Sequence, residues 1–264
     1  MSTPIVFITG ATSGIGKATA IRFAKDGYHV ILAARRTERL EQLKQTIETD
    51  HPTKVLTLTL DIQDNSAVTQ AISSLSDEWK HIDVLVNNAG TAITTDSIHE
   101  ADPKNWDTMI DTNIKGLLYV TRAILPGMLE RNNGHIINIG SVAGHEYYPG
   151  GNIYSATKHA VKAINKSLRL DLLGKPIRVT SVDPGMVHTE FSAVRWNDHD
   201  KAEKFYDGIA TLQPEDIADA IAYCAQVPKH VNIEDMIVMP TCQASVNHVH
   251  RKNSSESSTF ANID

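Results

Sequence analysis

Short apolar runs rich in β-branched residues alternate with longer helical patterns along almost the whole chain. The predicted strands cover residues 5–8, 28–34, 55–60, 83–86, 135–139, 177–182 and 235–239. The predicted helices lie near residues 14–25, 38–48, 66–79, 106–131 and 154–173, and a further helix opens at 213–216. Because the strands are almost continuously apolar, both of their faces must be buried. The alternation therefore predicts an α/β fold in which a parallel sheet is covered by helices on both faces.

Composition limits the partners of such a fold. The net charge of -6 argues against nucleic acid or an anionic membrane as a general partner. No run of 18 apolar residues is present, and Met1-Ser-Thr-Pro4 lacks the features of a signal peptide. Cys224 and Cys242 have no metal-type spacing, so we expect reduced thiols in a cytoplasmic protein. No composition shift marks a second domain, so we expect one domain over residues 1–251 and a disordered polar tail over residues 252–264.

A glycine-rich loop follows the first predicted strand and opens the first predicted helix. Glycines allow a tight turn and a close approach of the backbone to a pyrophosphate, while a helix N-terminus directs its amides at phosphate groups. The strand–turn–helix context favours dinucleotide binding over an ordinary glycine turn. The candidate contacts in this loop are Thr9, Gly10, Thr12, Ser13, Gly14, Ile15 and Gly16.

Gly16-Lys17 also invites comparison with a nucleoside-triphosphate loop. That motif needs four residues between its two glycines and a Ser or Thr after its lysine. Here five residues separate Gly10 from Gly16, and Ala18 stands where the magnesium-binding hydroxyl belongs. The spacing therefore disfavours a triphosphate-binding loop.

The end of the second predicted strand indicates which dinucleotide binds. It reads Ala33-Ala-Arg35-Arg36 and contains no acidic residue. An acid at this place would bond the ribose 2′-hydroxyl of NAD, whereas arginine accommodates a 2′-phosphate. We therefore predict NADP(H) as the cofactor. The alternative is that these arginines only pair with Glu38 or Glu41.

Two other strand ends carry small or polar residues. Asp61-Ile62 follows the third predicted strand, where an Asp can meet the adenine edge. Asn87, Asn88, Ala89 and Gly90 follow the fourth, where small residues permit a close approach and amides can also tie strands together. Each group alone is compatible with an ordinary polar turn. Together with the glycine loop, both are predicted to contact the cofactor.

Tyr154 and Lys158 are four residues apart in a predicted helix. This spacing places both side chains on one helix face, one turn apart. An ammonium group beneath a phenol favours the ionised form, which makes tyrosine usable as an acid and a base. The spacing alone also suits a solvated pair on a helix surface. Gly140-Ser141 before the pair and Asp183-Pro-Gly185 after it favour the catalytic interpretation.

Six motifs in this order resemble the short-chain dehydrogenase/reductase family, over about Ile5 to Gln243. The motifs are Thr9-Gly-x-x-x-Gly-x-Gly16, Asn87-Asn-Ala-Gly90, Asn113, Ser141, Tyr154-x-x-x-Lys158 and Pro184-Gly185. The resemblance implies a single Rossmann-type, doubly wound sheet of seven parallel strands in the order 3-2-1-4-5-6-7. It also implies an active site at the carboxyl ends of the strands.

The resemblance implies that Asn113, Ser141, Tyr154 and Lys158 form the catalytic set. Ser141 would hold the substrate oxygen by a hydrogen bond, and Tyr154 would exchange a proton with that oxygen. Lys158 would bind the nicotinamide ribose and, with an oxidised nicotinamide, would lower the pKa of Tyr154. Asn113 would help to hold a water that links the lysine to solvent. The alternative for Asn113 is a buried helix amide.

Residues 184–192 resemble the family segment that closes over the nicotinamide carboxamide. The expected cofactor contacts in it are Pro184, Gly185, Val187 and Thr189. We expect a substrate loop over about residues 186–206. The family also implies a homo-oligomer, a dimer or tetramer, in which the long helices after the fourth and fifth strands meet between subunits.

Several stretches, such as residues 106–116 and 134–141, resemble the branch of NADP-dependent 3-hydroxy acid dehydrogenases, which includes serine and L-allo-threonine dehydrogenases. A carboxylate substrate needs a cationic anchor, and Arg195 is the candidate for substrate binding beside Ser141 and Tyr154. The alternative for Arg195 is a surface or subunit contact. His188 replaces a small residue expected in relatives, so it either narrows the pocket or is a surface-loop histidine.

Other functions are compatible with the same motifs. A broad ketone, diketone or 3-oxoacyl reductase would share the catalytic set. An NADP-sensing regulator without chemistry usually lacks the tyrosine or the lysine, and both are present here. No metal site is expected, because neither His145 nor His248-x-His250 has a metal-type spacing around it.

Overall fold

The computed structural model describes residues 3–252 as a parallel sheet with helices on both faces. The strands are β1 (Ile5–Thr9), β2 (His29–Ala34), β3 (Val55–Thr59), β4 (Ile82–Asn87), β5 (Gly134–Ile139), β6 (Ile177–Pro184) and β7 (Asp235–Val238). Their order is β3-β2-β1-β4-β5-β6-β7, and every neighbouring pair is parallel. The predicted fold class and strand order are confirmed. The predicted tail lies outside the described residues, apart from Lys252.

The helices that connect these strands depart from the predicted ranges at two places, and two short helices lie within residues 186–206, where no helix was predicted. They are α1 (Gly14–Lys25), α2 (Thr37–Asp50), α3 (Asn65–Ser73), α4 (Pro103–Ile110), α5 (Leu117–Glu130), α6 (Asn152–Asp171), α7 (Phe191–Trp196), α8 (His199–Tyr206) and α9 (Pro214–Gln226). The predicted helix 66–79 ends at Ser73, where the serine hydroxyls of residues 73 and 74 bond local carbonyls. The predicted helix 106–131 is interrupted by a π-helical turn, Asp111–Gly116. Across residues 3–252, no helix has the length and apolar character to cross a membrane.

Alternation along the strands builds the two faces of the core. In β1, Val6 and Ile8 belong to the cluster that packs against α1, α2 and α9. Ile5 and Phe7 belong to the opposite cluster, which includes residues of α3 and α5. Since successive strand side chains point to opposite faces, a five-residue apolar strand serves both clusters. Helices on both faces therefore leave the carboxyl edge of the sheet free to form a site.

Buried asparagines connect the strands beneath that edge. Asn87 Nδ2 donates to Asn138 Oδ1 at 2.9 Å, and Asn138 Nδ2 donates to Asn165 Oδ1 at 3.0 Å. Asn165 Nδ2 then donates to the carbonyl of Glu234 at 3.2 Å. This amide chain runs from β4 through β5 and α6 to the residue before β7. It fixes the relative positions of the elements that carry the candidate catalytic residues.

Candidate active site

The glycine loop is packed directly against the end of β4. Gly10 has φ +64°, and a Cβ on it would lie 2.9 Å from Ala89 Cα. A Cβ on Gly16 would lie 2.4 Å from the carbonyl oxygen of Gly10 and 2.5 Å from Asn88 Nδ2. Asn88 Nδ2 donates to the carbonyls of Thr9 and Gly10 at 2.9 and 3.1 Å. Only glycine fits at these two positions, and the loop and the β4 end form one unit.

Thr9 and Asn87, both predicted cofactor contacts, use their side chains within the protein. Thr9 Oγ1 accepts the backbone N–H groups of Asn88 and Ala89 at 3.0 and 2.9 Å. Asn87 is buried and donates to Thr121 Oγ1 at 2.9 Å as well as to the amide chain. Their side chains therefore hold the loop and the sheet in place, which leaves their backbone as the part that faces a ligand.

The N-terminus of α1 is open at the loop. Its N-cap residue, Ser13, forms no side-chain capping bond, so the first-turn amides keep their capacity to bind a ligand. Gly14 has φ +49°, and a Cβ on it would lie 3.1 Å from Thr189 Cγ2. The predicted contact residue Thr189 thus lies against the predicted phosphate loop. Uncapped amides and a positive helix end suit a pyrophosphate at this place.

The guanidinium group of Arg36 lies beside the same loop. Arg36 Nη2 donates to Thr12 Oγ1 and Ser13 Oγ, both at 2.9 Å, and its Nη1 pairs with Glu190 at 3.1 Å. The alternative pairing with Glu38 or Glu41 is wrong, because the partner comes from the substrate segment. Arg35 is exposed and has no hydrogen bond or ion pair among the described residues.

Arg39 and Glu190 are site residues that the sequence reasoning missed. Arg39 Nη1 lies 2.9 Å from Glu190 Oε1, so one carboxylate bridges Arg36 and Arg39. Arg39 is three residues after Arg36, at the start of α2, and this helical spacing was a usable signal for a two-arginine cluster. No comparable signal existed for Glu190, which is 151 residues away from Arg39.

Asn113 and Lys158 meet around Gly90. A Cβ on Gly90 would lie 3.4 Å from Asn113 Oδ1 and 3.6 Å from Lys158 Nζ. Lys158 is buried and donates to the carbonyl of Ile139 at 2.8 Å. Asn113 lies in the π-helical turn, a local irregularity that often marks functional sites.

The hydrogen bonds of Asn113 are made to the protein. Its Oδ1 accepts the N–H of Thr91, and its Nδ2 donates to the carbonyl of Thr91, both at 2.8 Å. A further bond reaches Thr157 Oγ1 at 3.0 Å. This bonding fits the buried-amide alternative and leaves the water-holding role a prediction.

Tyr154 is partly buried beside Ser141 and Arg195. Burial raises the pKa of Tyr154 above its usual value, while a hydrogen bond with Ser141 and the charge of Arg195 act in the opposite direction. Lys158 Nζ lies 5.9 Å from the centroid of the Tyr154 ring. Burial lowers the pKa of Lys158 to about 8, although the charge of Asp183 opposes this shift. Burial therefore gives both shifts their direction, and the charge of Arg195 reduces the shift of Tyr154 as that of Asp183 reduces the shift of Lys158.

Arg195 lies over the aromatic rings of the site. Its guanidinium carbon is 5.3 Å from the centroid of Tyr148 and 5.8 Å from that of Tyr154. Arg195 Nε donates to the carbonyl of Thr94 at 3.2 Å, and the carbonyl of Arg195 accepts the N–H of Thr94 at 2.9 Å. These contacts join α7 to the loop after β4. They hold Arg195 beside Tyr154, and its role in substrate binding stays a prediction.

Contacts of Tyr206 hold the segment after β6 together. Tyr206 Oη lies 2.7 Å from Ser192 Oγ and donates to the carbonyl of Val187 at 3.1 Å. The ring of His188 contacts that of Tyr206 at 4.7 Å between centroids, and its side chain is 40% exposed. His188 therefore stabilises the segment from its outer side, which fits the surface-loop alternative.

A glutamine near the end of the described chain holds the start of this segment. Gln243 Oε1 accepts the N–H of Met186 at 2.8 Å. The same oxygen lies 2.5 Å from where a Cβ on Gly185 would be, which explains the glycine after Pro184. Gln243 was not singled out from the sequence, because no motif marks it.

Two remaining groups of predicted residues have simple surroundings. Asp61 is exposed and accepts the N–H of Gln63 at 3.0 Å, while Ile62 packs against Gly116. His145 lies beside two carboxylates, those of Asp183 and Asp235, which are remote in sequence. His248 forms a local bond with Ser245 at 2.7 Å.

Comparisons with known proteins agree with this geometry. The family model described as short chain dehydrogenase matches residues 4–200. The chain is 49% identical over 250 residues to the NADP-dependent 3-hydroxy acid dehydrogenase YdfG of Salmonella typhi, covering 94% of this chain and 99% of the relative. It is 46% identical over 242 residues to sulfoacetaldehyde reductase 2 of Chromohalobacter salexigens, covering 91% and 95%.

A solved structure shows the same architecture. The closed form of serine dehydrogenase complexed with NADP+ matches with a TM-score of 0.88 at 47% identity, covering 94% of this chain and 100% of that chain. The chain therefore belongs to the short-chain dehydrogenase/reductase family.

Proposed function

We propose that this protein is an NADP-dependent oxidoreductase that transfers a hydride between NADP(H) and a small 3-hydroxy acid of the serine or L-allo-threonine type. One observation carries the proposal: the phenol of Tyr154 interacts with Ser141, and Lys158 Nζ and the guanidinium carbon of Arg195 lie 5.9 and 5.8 Å from the centroid of its ring. This arrangement offers an acid–base group, an oxygen-binding hydroxyl and a cation for an anionic substrate.

The residues around the loop fit NADP. The uncapped N-terminus of α1 suits the pyrophosphate, and the missing side chains of Gly10 and Gly16 let the backbone approach it. Arg36, with Arg35 and Arg39 nearby, would bind the 2′-phosphate. Asp61 and Ile62 would lie at the adenine, and Val187 and Thr189 at the nicotinamide. The bound cofactor supplies or accepts the hydride.

The side chains then manage the substrate oxygen and its proton. In reduction, Ser141 donates a hydrogen bond to the carbonyl oxygen, where negative charge develops, and Tyr154 donates the proton that completes the alcohol. In oxidation, Tyr154 accepts the alcohol proton. The ammonium group of Lys158 binds ribose hydroxyls and stabilises the ionised phenol. Although burial lowers the pKa of Lys158 to about 8, this value is still above 7, so Lys158 keeps most of its positive charge at pH 7.

Arg195 would select substrates with an anionic group. In a 3-hydroxy acid the carboxylate is attached one carbon beyond the reacting carbon, and a guanidinium binds such a group through two hydrogen bonds. A sulfonate aldehyde has the same spacing, and one relative is named a sulfoacetaldehyde reductase. That class is the second candidate, and a broad ketone or 3-oxoacyl reductase is the third.

We further propose a homo-oligomer with residues 186–206 as its substrate loop. Large apolar side chains are exposed on the helices expected between subunits, namely Ile110, Leu118 and Leu170, and Leu173 in the turn after α6 is 83% exposed. A second chain would cover this apolar surface. The two cysteines are free thiols, which supports the expected cytoplasmic location.

A substrate panel tests the proposal. Serine, 3-hydroxyisobutyrate, 3-hydroxypropanoate, sulfoacetaldehyde, a diketone and a 3-oxoacyl thioester are assayed with NADP+ or NADPH by nicotinamide absorbance. Tyr154→Phe is expected to lower kcat by roughly 10²–10⁴-fold while NADPH binding is retained. Tyr223→Phe, at an exposed position of α9, is the matched control. Binding of NADPH without turnover of any panel member would instead indicate a nucleotide-sensing regulator.

A further inference from the structure

A buried carboxylate lies directly behind the turn that carries Ser141. Asp183 is 2% exposed, and its Oδ1 accepts the hydroxyl of Ser181 at 2.6 Å. The same oxygen is packed so closely against Gly140 that a Cβ there would lie 1.7 Å away. Asp183 therefore occupies the junction between the end of β5 and the end of β6. A buried negative charge at such a place needs donors to stabilise it.

His145 supplies the second donor and belongs to the Ser141 turn. It ends the short 3-10 helix Val142–Gly144, and its Nε2 lies 2.5 Å from Asp183 Oδ2. Its Nδ1 lies 2.6 Å from Lys162 Nζ. An ammonium can only donate, so Nδ1 accepts and the ring hydrogen is on Nε2, facing Asp183. A continuous chain of hydrogen bonds thus runs from Lys162 through His145 to Asp183.

The cluster around Asp183 already contains a cation, the ammonium group of Lys162. His145, Asp183 and Asp235 place ligand-type atoms within 4.8 Å of one another, as a divalent metal would need. However, Lys162 Nζ already donates to His145 and lies 3.9 Å from Asp235 Oδ2. Burial and the carboxylate of Asp183 raise the pKa of Asp235 to about 6, which lowers the negative charge further at mildly acid pH. The contacts favour a positioning network over a metal site.

The cluster touches the catalytic groups through Gly140 and Lys158. Lys158 donates to the carbonyl of Ile139, the residue before Gly140. A Cβ on Gly144 would lie 2.8 Å from the carbonyl of Lys158, so the Ser141 turn is also packed on α6. The charge of Asp183 raises the pKa of Lys158 against the effect of burial. The charged and titratable groups around Asp183 are His145 of the turn, Lys158, Lys162 and Tyr154 of α6, and Asp235 of β7.

We propose that Asp183 and His145 are positioning residues for the reaction: their hydrogen bond holds the turn that presents Ser141, and the buried Asp183 carboxylate, packed on Gly140 next to the Ile139 carbonyl that Lys158 bonds, is the counter-charge of Lys158. This inference rests on the proposed function, because both residues act through the groups that perform the proton transfer. Neither is expected to touch the substrate.

Paired variants at His145 test the positioning role. His145→Leu removes the donor to Asp183 and is expected to lower kcat at least tenfold with little change in the KM for NADPH. His145→Gln keeps an N–H donor and is expected to retain most of the wild-type kcat. Glu78→Gln, which alters an exposed acid that is far from the cluster and pairs with Lys54, is the matched control and should be unchanged.

The pH profile tests the counter-charge. The charge of Asp183 raises the pKa of Lys158 and of Tyr154, so its removal makes both lose their protons at lower pH. Asp183→Asn is therefore expected to move the alkaline limb of kcat for carbonyl reduction to lower pH by about one unit. A fully structural role would lower activity at every pH and leave this limb in place. Should Asp183→Asn not fold, the His145 pair decides.

Hydrogen exchange provides a readout without turnover. The amides of Ala143 and Gly144 bond to Ser141 Oγ and the Ser141 carbonyl at 3.1 and 2.8 Å. They are expected to exchange at least tenfold faster in His145→Leu than in His145→Gln. If both variants match the wild type, or both lose kcat equally, the inference is overturned. A wild-type protein inactive on every panel substrate would overturn the proposed function instead, and the exchange comparison would still decide the positioning role.

Discussion

Replacement of Arg36 by alanine is expected to weaken NADP(H) binding without affecting NAD(H). Three hydrogen bonds from the Arg36 guanidinium hold it beside the predicted phosphate loop. Two go to Thr12 Oγ1 at 3.1 and 2.9 Å, and one goes to Ser13 Oγ at 2.9 Å. A hydrogen bond to a charged group contributes about 1.5–3 kcal/mol when it is well formed. The Arg36 side chain is 43% exposed, so solvent screening reduces this figure. We expect a loss of about 1–2 kcal/mol, equal to a rise of roughly 5–30-fold in the KM for NADPH.

The measurement is kcat/KM for NADPH and for NADH with one carbonyl substrate at fixed ionic strength. Arg36→Ala should lower the ratio of the two values, and Arg39→Ala should lower it less, because Arg39 has no contact with the loop hydroxyls. Arg22→Ala, which alters an arginine paired with Asp26 and Asp219 at the far end of α1, is the matched control. An equal loss with both cofactors would refute the assignment of Arg36 to the 2′-phosphate.

Three further outcomes are expected. Arg195→Ala should raise the KM for a 3-hydroxy acid about tenfold and leave that for a neutral ketone unchanged, whereas an unchanged KM for the acid would remove Arg195 from the substrate site. Gly16→Ala places a methyl 2.4 Å from the carbonyl of Gly10 and should abolish NADPH binding in a folded protein, while Gly127→Ala, which meets only the end of Arg131, should bind normally in the same fluorescence titration. Burial lowers the pKa of His135 to about 3, so the unfolded state binds a proton between about pH 6.5 and 3 that the folded state does not. The free energy of unfolding is therefore highest above pH 6.5, and protonation of His135 in the unfolded state lowers it by about 2 kcal/mol at pH 5. Urea unfolding at pH 6.5 and at pH 5 should show a smaller difference in this free energy for His135→Gln than for the wild type. An equal difference in the two proteins would show that His135 is not the cause.

The strands and loops near the sheet edge were predictable because local patterns determine them. Apolar runs such as residues 5–8 serve two cores, and a parallel sheet between two layers of helices buries both of their faces. The glycines of residues 10–16 follow from the close packing of a loop on β4. Ser141, Tyr154 and Lys158 were predicted from their spacing and the family resemblance, and they lie together in the structure.

Long-range polar contacts were not predictable in the same way. Glu190 pairs with Arg36 and Arg39 across more than 150 residues, and nothing around Glu190 distinguishes it from an ordinary surface acid. The π-helical turn at Asn113 was also missed, because apolar periodicity continues through it from α4 to α5. Such features depend on how elements meet, and sequence periodicity describes only each element by itself.

The asparagine chain beneath the site has a direction, and this has a consequence for any attempt to redesign it. Asn138 and Asn165 each present their NH₂ group to the next residue and their oxygen to the previous one, whereas Asn87 begins the chain as a donor and its own oxygen has no hydrogen-bond partner among the described residues. Reversal of one amide would set donor against donor at one neighbour and acceptor against acceptor at the other. The three side chains therefore form one cooperative network in which only one set of amide orientations is allowed. Apolar replacements are expected to be tolerated only when all three asparagines are changed together, and single replacements should be the most damaging members of the series.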